Sequence, residues 1–555
     1  MFSRLFPDFQ DTVTFEPHPH SSPPGPTRTE YDAVVVGSGF GGCMAALELV
    51  EAGLRVLMLE RGGWVVRGPE NWSGEGAFVR TPFYAADSAF EVLGGRAAGG
   101  ERLCTCVGGP SVFYGGASFR FRERDFEAAP EIAAGSGAAW PVDYAALEPF
   151  YTRAEGVLGV AGEVGFDPTE PPRSAPYPQP PAVLSDAAKK IADAARSLGL
   201  HPFRIPLALN RAAEQGPVCA ACTTCDAFAC AISAKNDLAV RVVPYITGRG
   251  MELRPDTVVT RLIAEDGRVT GVECVDKASG GRSVVRGRVV ILAAGALATP
   301  HLLLASGLER LNPAGDAVGR YLMRHCNAMT YGVFPTRPDR KGEHHKQVAL
   351  HDYYFGAAER GAPPGKLGNL QQVMGPQASL VAHVLPKRLG WLARWAELPA
   401  SRLTGLLAIA EDQPRAENRV RIDPSRPDAY GLPKLVVEHR YTARDLAARA
   451  FMIRKAKQVL RRAGALFFVT WPVSTFSHAV GTVRMGDDER TAPLDPDCRF
   501  RGLENLYVTD GSVFPSSGGV NPSLTISANA MRVGRLIVHA LTGASAGAGA
   551  AEGAR

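Results

Sequence analysis

The 555-residue sequence contains no stretch of eighteen consecutive apolar residues, so an ordinary membrane-spanning helix is excluded. It lacks the charged start, apolar core and small-residue cleavage site of a secretory signal. Nor is there a run of Lys and Arg, and a net charge of +5 on this length gives nucleic acid no electrostatic footprint. No internal repeat is evident, which excludes solenoid architectures. Cysteine is sparse. Six of the ten (Cys43, Cys104, Cys106, Cys274, Cys326 and Cys498) are scattered, the usage of a reduced cytoplasmic chain rather than a secreted disulfide framework.

What remains is 45% hydrophobic and 21% charged, an ordinary globular composition, in a chain longer than one core supports. Residues 1–30, with His18, Pro19, His20, Pro23, Pro24 and Pro26, read as an extended arm, and 542–555 as a disordered Gly/Ala/Ser tail. Residues 379–409 carry Leu385, Leu389, Trp391, Leu392 and Trp395 among Lys387, Arg388 and Arg394. Two readings stay open there: an amphipathic face lying on a membrane, or a lid or substrate-domain helix.

Ala33–Val36 reads as a buried strand running into Gly37-Ser38-Gly39-Phe40-Gly41-Gly42. Close glycines let the backbone turn tightly and approach a pyrophosphate, and a helix over about 41–53 then aims its amides at that phosphate. Leu54–Glu60 follows as a second strand. Glu60 lies 23 residues beyond Gly37, where an acidic side chain accepts bonds from a ribose diol. The unit specifies a dinucleotide without deciding between FAD and NAD. Val289–Leu292, ending at Ala293, Ala294, Gly295 and Ala296, reads as a strand whose small terminal residues let the sheet approach the cofactor.

Far along the chain stand Ser477-His478-Ala479-Val480-Gly481-Thr482-Val483-Arg484-Met485-Gly486, Asn505–Gly511 and Gly519-Val520-Asn521-Pro522. Between the two ends lie Val107–Ser111 with Tyr114-Gly115-Gly116, Trp140–Tyr144, Val318–His325, Glu411–Pro414 with Asn418–Val420, and Asp428–Pro433. In this order the motifs resemble the glucose–methanol–choline (GMC) oxidoreductases from about Tyr31 to about Ala540, with likeness to bacterial sugar-alcohol and gluconate-type dehydrogenase subunits.

The resemblance implies an α/β fold: a Rossmann-type FAD-binding domain (31–155, 216–320, 470–541) with a discontinuous substrate domain (156–215, 321–469) built on an antiparallel sheet with helices. Asn418–Asp423 and Lys434–Arg440 are expected as strands of that second domain, and Arg444–Ala463 as its helix. It further implies that Gly37, Gly39 and Gly42 surround the FAD pyrophosphate and that Glu60 holds the adenosine ribose. Gly108, Gly109 and Ser111 would lie along the flavin side, Val259 would bond adenine through its backbone, and Asp510 would serve the ribityl–pyrophosphate region. The Asn521-Pro522 turn would bring amides to the flavin pyrimidine ring. Covalent attachment uses a histidine ahead of the paired glycines in some members; Glu101–Cys106 contains none, so noncovalent FAD is expected.

Oxidising an alcohol by hydride transfer requires loss of the hydroxyl proton, hence a base and a donor to the developing oxyanion. His478 matches the family's active-site histidine and Asn521 the second position, as in cholesterol-oxidase-like members. The expected reaction is FAD-dependent oxidation of a primary or secondary alcohol, lipophilic or cyclic, with a sugar or polyol as the alternative. Oxygen, a quinone or a redox protein would be the acceptor. A non-redox flavin lyase and a noncatalytic FAD-binding subunit are the competing classes. His325, His344, His345 and His351 gain no support as catalytic or metal-binding groups and are read as surface histidines.

Four cysteines crowd together: Cys219, Cys222, Cys225 and Cys230, at spacings of two, two and four. An iron–sulfur cluster, a zinc or other structural site, and buried thiols or a local disulfide all accord with this spacing.

Overall fold

A computed structural model describes residues 30–73, 88–93, 101–375 and 400–543. The arm, the tail beyond Gly543 and the tryptophans at 391 and 395 lie outside the described residues. Part of the 379–409 stretch is seen: Leu403–Ala410 is a strand, not a helix. Among the described residues no helix is long and apolar enough to cross a membrane.

Strands are numbered β1–β17 in chain order, as are the helices of eight residues or more. A seven-stranded sheet carries β1 (Glu30–Val36), β2 (Val56–Leu59), β6 (Glu252–Arg254), β7 (Thr257–Glu265), β8 (Arg268–Asp276), β9 (Arg282–Leu292) and β17 (Leu506–Val508). Its order is β6-β2-β1-β9-β8-β7, with β17 also on β9. The β6, β2, β1, β9 and β17 pairings are parallel, whereas β7, β8 and the start of β9 form an antiparallel meander. Val34, Val35, Leu57, Met58 and Ile291 are wholly buried, as continuous apolar strands covered on both faces must be. Helix α1 (Phe40–Glu51) follows β1 and packs against the C-terminal helix α6 (Ser523–Thr542). The expected strand–glycines–helix–strand unit therefore folds within three residues of its sequence bounds.

The second layer is a six-stranded antiparallel sheet, ordered β16-β10-β13-β12-β11-β5. It contains β5 (Phe203–Arg204), β10 (Ala328–Val333), β11 (Val348–Leu350), β12 (Gly368–Met374), β13 (Leu403–Ala410) and β16 (Phe467–Pro472). One face is closed by α5 (Ala443–Arg462), whose Phe451, Met452 and Val459 bury against Leu370, Leu406 and Ala408. Strand β16 spans the sequence position 469/470.

One expectation is corrected. Strands β14 (Arg419–Pro427) and β15 (Pro433–Glu438) form, but in a separate four-stranded sheet with β3 (Ala89–Leu93) and β4 (Glu101–Arg102). Alternation identifies a strand without naming its partner, and here β15 pairs in parallel with β3, some 340 residues earlier.

Helix α5 begins with a capping box: Thr442 Oγ1 accepts from Asp445 N at 3.1 Å and Asp445 Oδ2 accepts from Thr442 N at 2.9 Å. Asp445 Oδ1 also accepts from Gln413 N at 3.2 Å, tying the helix start to the segment that carries Asp412. Thr442→Ala is expected to lower unfolding stability by about 1 kcal/mol in denaturant titrations, and Thr442→Ser to retain it.

Candidate active site

The dinucleotide loop is built by close backbone approach. Gly37, at φ +102°, lies against Ala293, and a Cβ on Gly42 would run into the carbonyl oxygen of Gly37. Gly39 differs: its built Cβ meets nothing within 4 Å, and α1 starts beside it without a side-chain cap. Its first amides therefore face open space, the arrangement that receives a phosphate. Glu60 is buried; its Oε2 accepts from Ser38 N at 3.0 Å and Ser38 Oγ at 2.7 Å, and its Oε1 from Gly62 N at 2.9 Å. Burial pushes its carboxyl pKa up against those bonds.

Gly108, at φ +88°, donates its N–H to Ser38 Oγ at 2.9 Å, and Gly109 packs on the Cα of Gly39. Ser111 Oγ donates to Gly108 O at 2.6 Å and accepts from Leu238 N at 3.1 Å. Ala294 N donates to Thr299 Oγ1 at 3.1 Å, and beyond it Gly295 opens to space at φ +90°. Asp510 Oδ2 accepts from Gly295 N at 2.9 Å and from Thr299 Oγ1, while Oδ1 accepts from Ser512 N at 2.8 Å. Its hydrogen-bond partners are thus protein groups that join two turns. Val259 sits in β7 opposite Cys274, at a register shift. Apart from Val259, for which no contact to the others is seen, these residues are joined by the bonds and close approaches above into one cradle around the end of β1 and the end of β9.

The His-x-x-Gly-Thr motif has a local cause. Val480 and Met323 exchange backbone bonds at 3.0 and 2.9 Å, an antiparallel bridge. Two residues out on each side, His478 and His325 consequently face each other. Gly481, at φ +96°, is pressed against Met323 and the carbonyl oxygen of Tyr321, and Thr482 Oγ1 donates to Ala296 O at 2.6 Å beside the cradle.

The rings of His478 and His325 meet edge to face with Nδ1 atoms 3.0 Å apart. His478 Nε2 lies 3.4 Å from Asn521 Nδ2, and Asn521 Oδ1 accepts from Gln371 Nε2 at 2.7 Å. Pro522 caps α6, whose start follows the turn directly. The preceding loop is clamped: Ser517 Oγ donates to Asp412 Oδ1 at 3.0 Å, Gly519 N to the Tyr354 hydroxyl at 2.9 Å, and Asn369 Nδ2 to Gly519 O at 2.6 Å. His478 is half-buried, and burial lowers its pKa to about 3, aided by the neighbouring His325 ring and the charge of Lys346. Asp226 is 2.6 Å from Lys346 Nζ and 2.8 Å from His345 Nε2. Burial opposes its ionisation, but the Lys346 ammonium and the His345 bond hold its carboxyl far below the usual range.

The surface reading of four histidines is overturned. His325 and His351 are fully buried, His344 is buried, and His345 is half-buried on Asp226. The stretch from 344 to 351 flanks or forms β11, an interior strand of the antiparallel sheet, so it is covered although its sequence has no apolar periodicity. His325, Asp412, Gln371, Asp226 and Lys346 were not anticipated. His325 and Asp412 ended or sat within motifs already visible; Gln371 carried no signal.

Cys219, Cys222, Cys225 and Cys230 line one small cavity. Their thiols are free, and burial raises Cys219 to about 11 and pushes Cys225 well above the ordinary thiol value. Among the described residues no three His, Cys, Asp or Glu side chains converge as metal ligands. Lys235, buried at the cavity, donates to the carbonyls of Tyr114, Cys225 and Phe228 at 2.9, 3.0 and 2.7 Å. No carboxylate pairs with it among the described residues.

A family model described as GMC oxidoreductase matches residues 31–327, and a second of the same description matches 414–530. The chain belongs to the GMC oxidoreductases. It is an FAD-dependent oxidoreductase acting on CH–OH groups. It is 31% identical to the 6'''-hydroxyparomomycin C oxidase of Streptomyces lividus, over 93% of each chain. It is equally similar to the paromamine 6'-oxidase of Streptomyces fradiae, 31% identical over 93% of this chain and 95% of that one. The 2-methyl-1,2-propanediol dehydrogenase of Mycolicibacterium austroafricanum is 27% identical over 91% of this chain and 95% of its own. Among solved structures, pyridoxine 4-oxidase from Mesorbium loti superposes with a TM-score of 0.63 at 20% identity, over 92% of this chain and 99% of the other, which establishes the shared fold.

Gly39 and Gly42 separate cofactor space from packing space in this GMC oxidoreductase. Gly39→Ala is expected to leave apoprotein melting unchanged while weakening FAD binding at least tenfold. Gly42→Ala is expected to lower the melting temperature as well, because its methyl group meets backbone. Thermal unfolding and FAD titration of the two apoproteins measure both effects.

Proposed function

We propose that this enzyme oxidises a hydroxyl group of a small polyhydroxylated substrate, with His478 as the base and Asn521 as the orienting donor. The supporting observation is the 3.4 Å approach of His478 Nε2 to Asn521 Nδ2, with Asn521 turned by Gln371 so that its N–H groups face the histidine. FAD, held noncovalently by Gly37, Gly39, Gly42, Glu60, Gly108, Gly109 and Ser111, supplies the hydride acceptor when bound. Val259, Ala294, Asp510 and the Asn521-Pro522 turn complete its surroundings in this reading. Asn521 Nδ2–H donates to the substrate oxygen and strengthens that bond as the oxygen becomes negative. His478 Nε2 takes the hydroxyl proton, and its lowered pKa keeps it unprotonated, hence competent, across the neutral range.

The lining favours a polyol or sugar over the lipophilic alcohol first expected. Gln371 Oε1 and Asn369 Oδ1, on the strand that touches Asn521 and Gly519, are buried acceptors without a partner among the described residues. Such acceptors reject an apolar ligand and reward hydroxyl or ammonium donors. Two of the relatives are named for oxidising paromomycin-type and paromamine substrates, which are polyhydroxylated amino sugars. We assign the nucleotide-binding role to 31–155, 216–320 and 470–541, the substrate-facing role to 156–215 and 321–469, and a cytoplasmic location on the ten free thiols.

Anaerobic stopped-flow mixing with polyols and amino sugars is expected to bleach the flavin. Absence of reduction by any alcohol would leave the lyase or noncatalytic reading in its place. His478→Gln should slow reduction by roughly 10²–10⁴-fold with FAD retained; reduction at the wild-type rate rules out His478 as the base.

A second reading concerns the electrons' exit. The shared cavity of Cys219, Cys222, Cys225 and Cys230 and the carboxylate-free ammonium of Lys235 favour an anionic iron–sulfur centre there. Among the described residues these sulfurs do not converge as a ligand set. Iron and acid-labile sulfide in stoichiometric amounts are expected in anaerobically purified protein. If both are absent, the cavity holds four thiols, and oxygen or a quinone takes the electrons directly.

A further inference from the structure

An imidazole is a base at one nitrogen and a donor at the other, so the reading above depends on which nitrogen of His478 carries its proton. A chain of bonds behind the ring decides this. His325 lies in the left-handed region at φ 59°, a conformation that a non-glycine residue adopts where its surroundings enforce it. Asp412 Oδ1 accepts its backbone N–H at 3.1 Å, and the Tyr441 hydroxyl donates to its carbonyl oxygen at 2.7 Å. The ring is thereby held with Nε2 3.1 Å from Ser517 O and 3.0 Å from Gly518 O.

Carbonyl oxygens accept and never donate, so His325 Nε2 carries hydrogen. In the neutral ring Nδ1 is then a lone pair, and it sits 3.0 Å from His478 Nδ1. That bond forms when His478 Nδ1 is the donor. The lone pair of His478 is consequently left on Nε2, the atom facing Asn521 Nδ2.

We propose that His325 is a positioning residue that fixes His478 as its Nδ1–H tautomer and so makes Nε2 the base. The inference rests on the alcohol-oxidation reading and adds the origin of its basicity. In the reaction the hydroxyl proton moves to His478 Nε2 while the Nδ1 proton stays on its bond to His325; the hydride leaves the carbon for the flavin. The reverse tautomer of His325 would set its Nε2 lone pair against two buried carbonyl oxygens. The charged and titratable groups facing the pair are Asp412 behind His325 and Lys346 and Asp226 beside His478, with His439 3.8 Å from Asp412. Burial keeps both rings neutral at physiological pH, with His325 and His478 each lowered from the ordinary histidine value.

The test uses the full chain with FAD bound and histidine labelled with ¹⁵N. Long-range ¹H–¹⁵N spectra, assigned by loss of signals in His478→Gln, are expected to show His478 Nδ1 protonated and Nε2 unprotonated between about pH 5 and pH 8, a window below and above the ordinary histidine pKa. His325→Leu removes the acceptor and is expected to slow flavin reduction tenfold or more, with both tautomers of His478 in the spectrum. His325→Asn, whose amide oxygen accepts from Nδ1–H, should restore most of the rate and the single tautomer. A protonated Nε2 in the wild-type spectrum overturns the proposal, as do equal losses in the Leu and Asn variants with an unchanged tautomer. If the wild-type tautomer is as stated and no alcohol reduces the flavin, the tautomer assignment stands and the oxidation reading falls.

Discussion

The two backbone bonds between Met323 and Val480 carry more of this protein's chemistry than any side-chain contact. They join segments 157 residues apart in sequence, and they set the spacing of everything around the base. His325 and His478 project from the same side of that bridge, Gly481 is forced to be glycine by its closeness to residues 321–323, and Thr482 is brought to Ala296 at the cofactor cradle. A side chain at 481 would push the strands apart, and with them the rings that meet at 3.0 Å. The bridge thus couples the antiparallel layer, through the residues leading into β10, to the nucleotide layer at the end of β9.

The same logic governs the other half of the site. Asn521 is placed by a loop whose every turn is tied: Ser517 to Asp412, Gly519 to Tyr354 and Asn369, and Asn521 itself to Gln371. Tyr354 is in turn bonded to Asp125, which is paired with Lys366 at 3.1 Å. Buried charges of this kind are costly to isolate and hold their geometry while each remains paired. The result is an amide whose donor side is aimed at His478 without any ligand present, the preorganisation that the proposed role of Asn521 requires.

The nucleotide cradle shows how glycines divide their work. Gly37, Gly42 and Gly109 are required by backbone packing, whereas Gly39 and Gly295 leave room that no protein atom fills. Asp510 is an internal tie between the end of β9 and the turn after β17, which explains an acidic residue at a buried position without assigning it a direct ligand. Near the cavity of the four cysteines, Asp226 leaves the same loop to meet His345 and Lys346, and the charges of Asp226 and Lys346 also reach His478. The cysteine segment and the base therefore share an electrostatic environment.

Much was legible in the residues alone. The strand–glycines–helix unit, the buried strand ending at Leu292 and the helix over residues 443–462 follow from local rules, apolar periodicity and the turn that glycine permits, whereas the His478 and Asn521 pair was legible through the order of the family motifs. These features span a few residues, so neighbouring positions specify them. What needed the folded chain was pairing across long separations. Strands β14 and β15 were recognisable as strands, but their partner β3 was not. His325 looked like a solitary surface histidine because nothing adjacent to it in sequence shows the carbonyls of residues 517 and 518. Gln371 lies in a strand with no distinguishing pattern. Sequence thus determined which chemical groups the protein owns and which short turns it makes. Tertiary structure alone decided what each nitrogen of His478 meets, because that depends on three segments coming within hydrogen-bond reach.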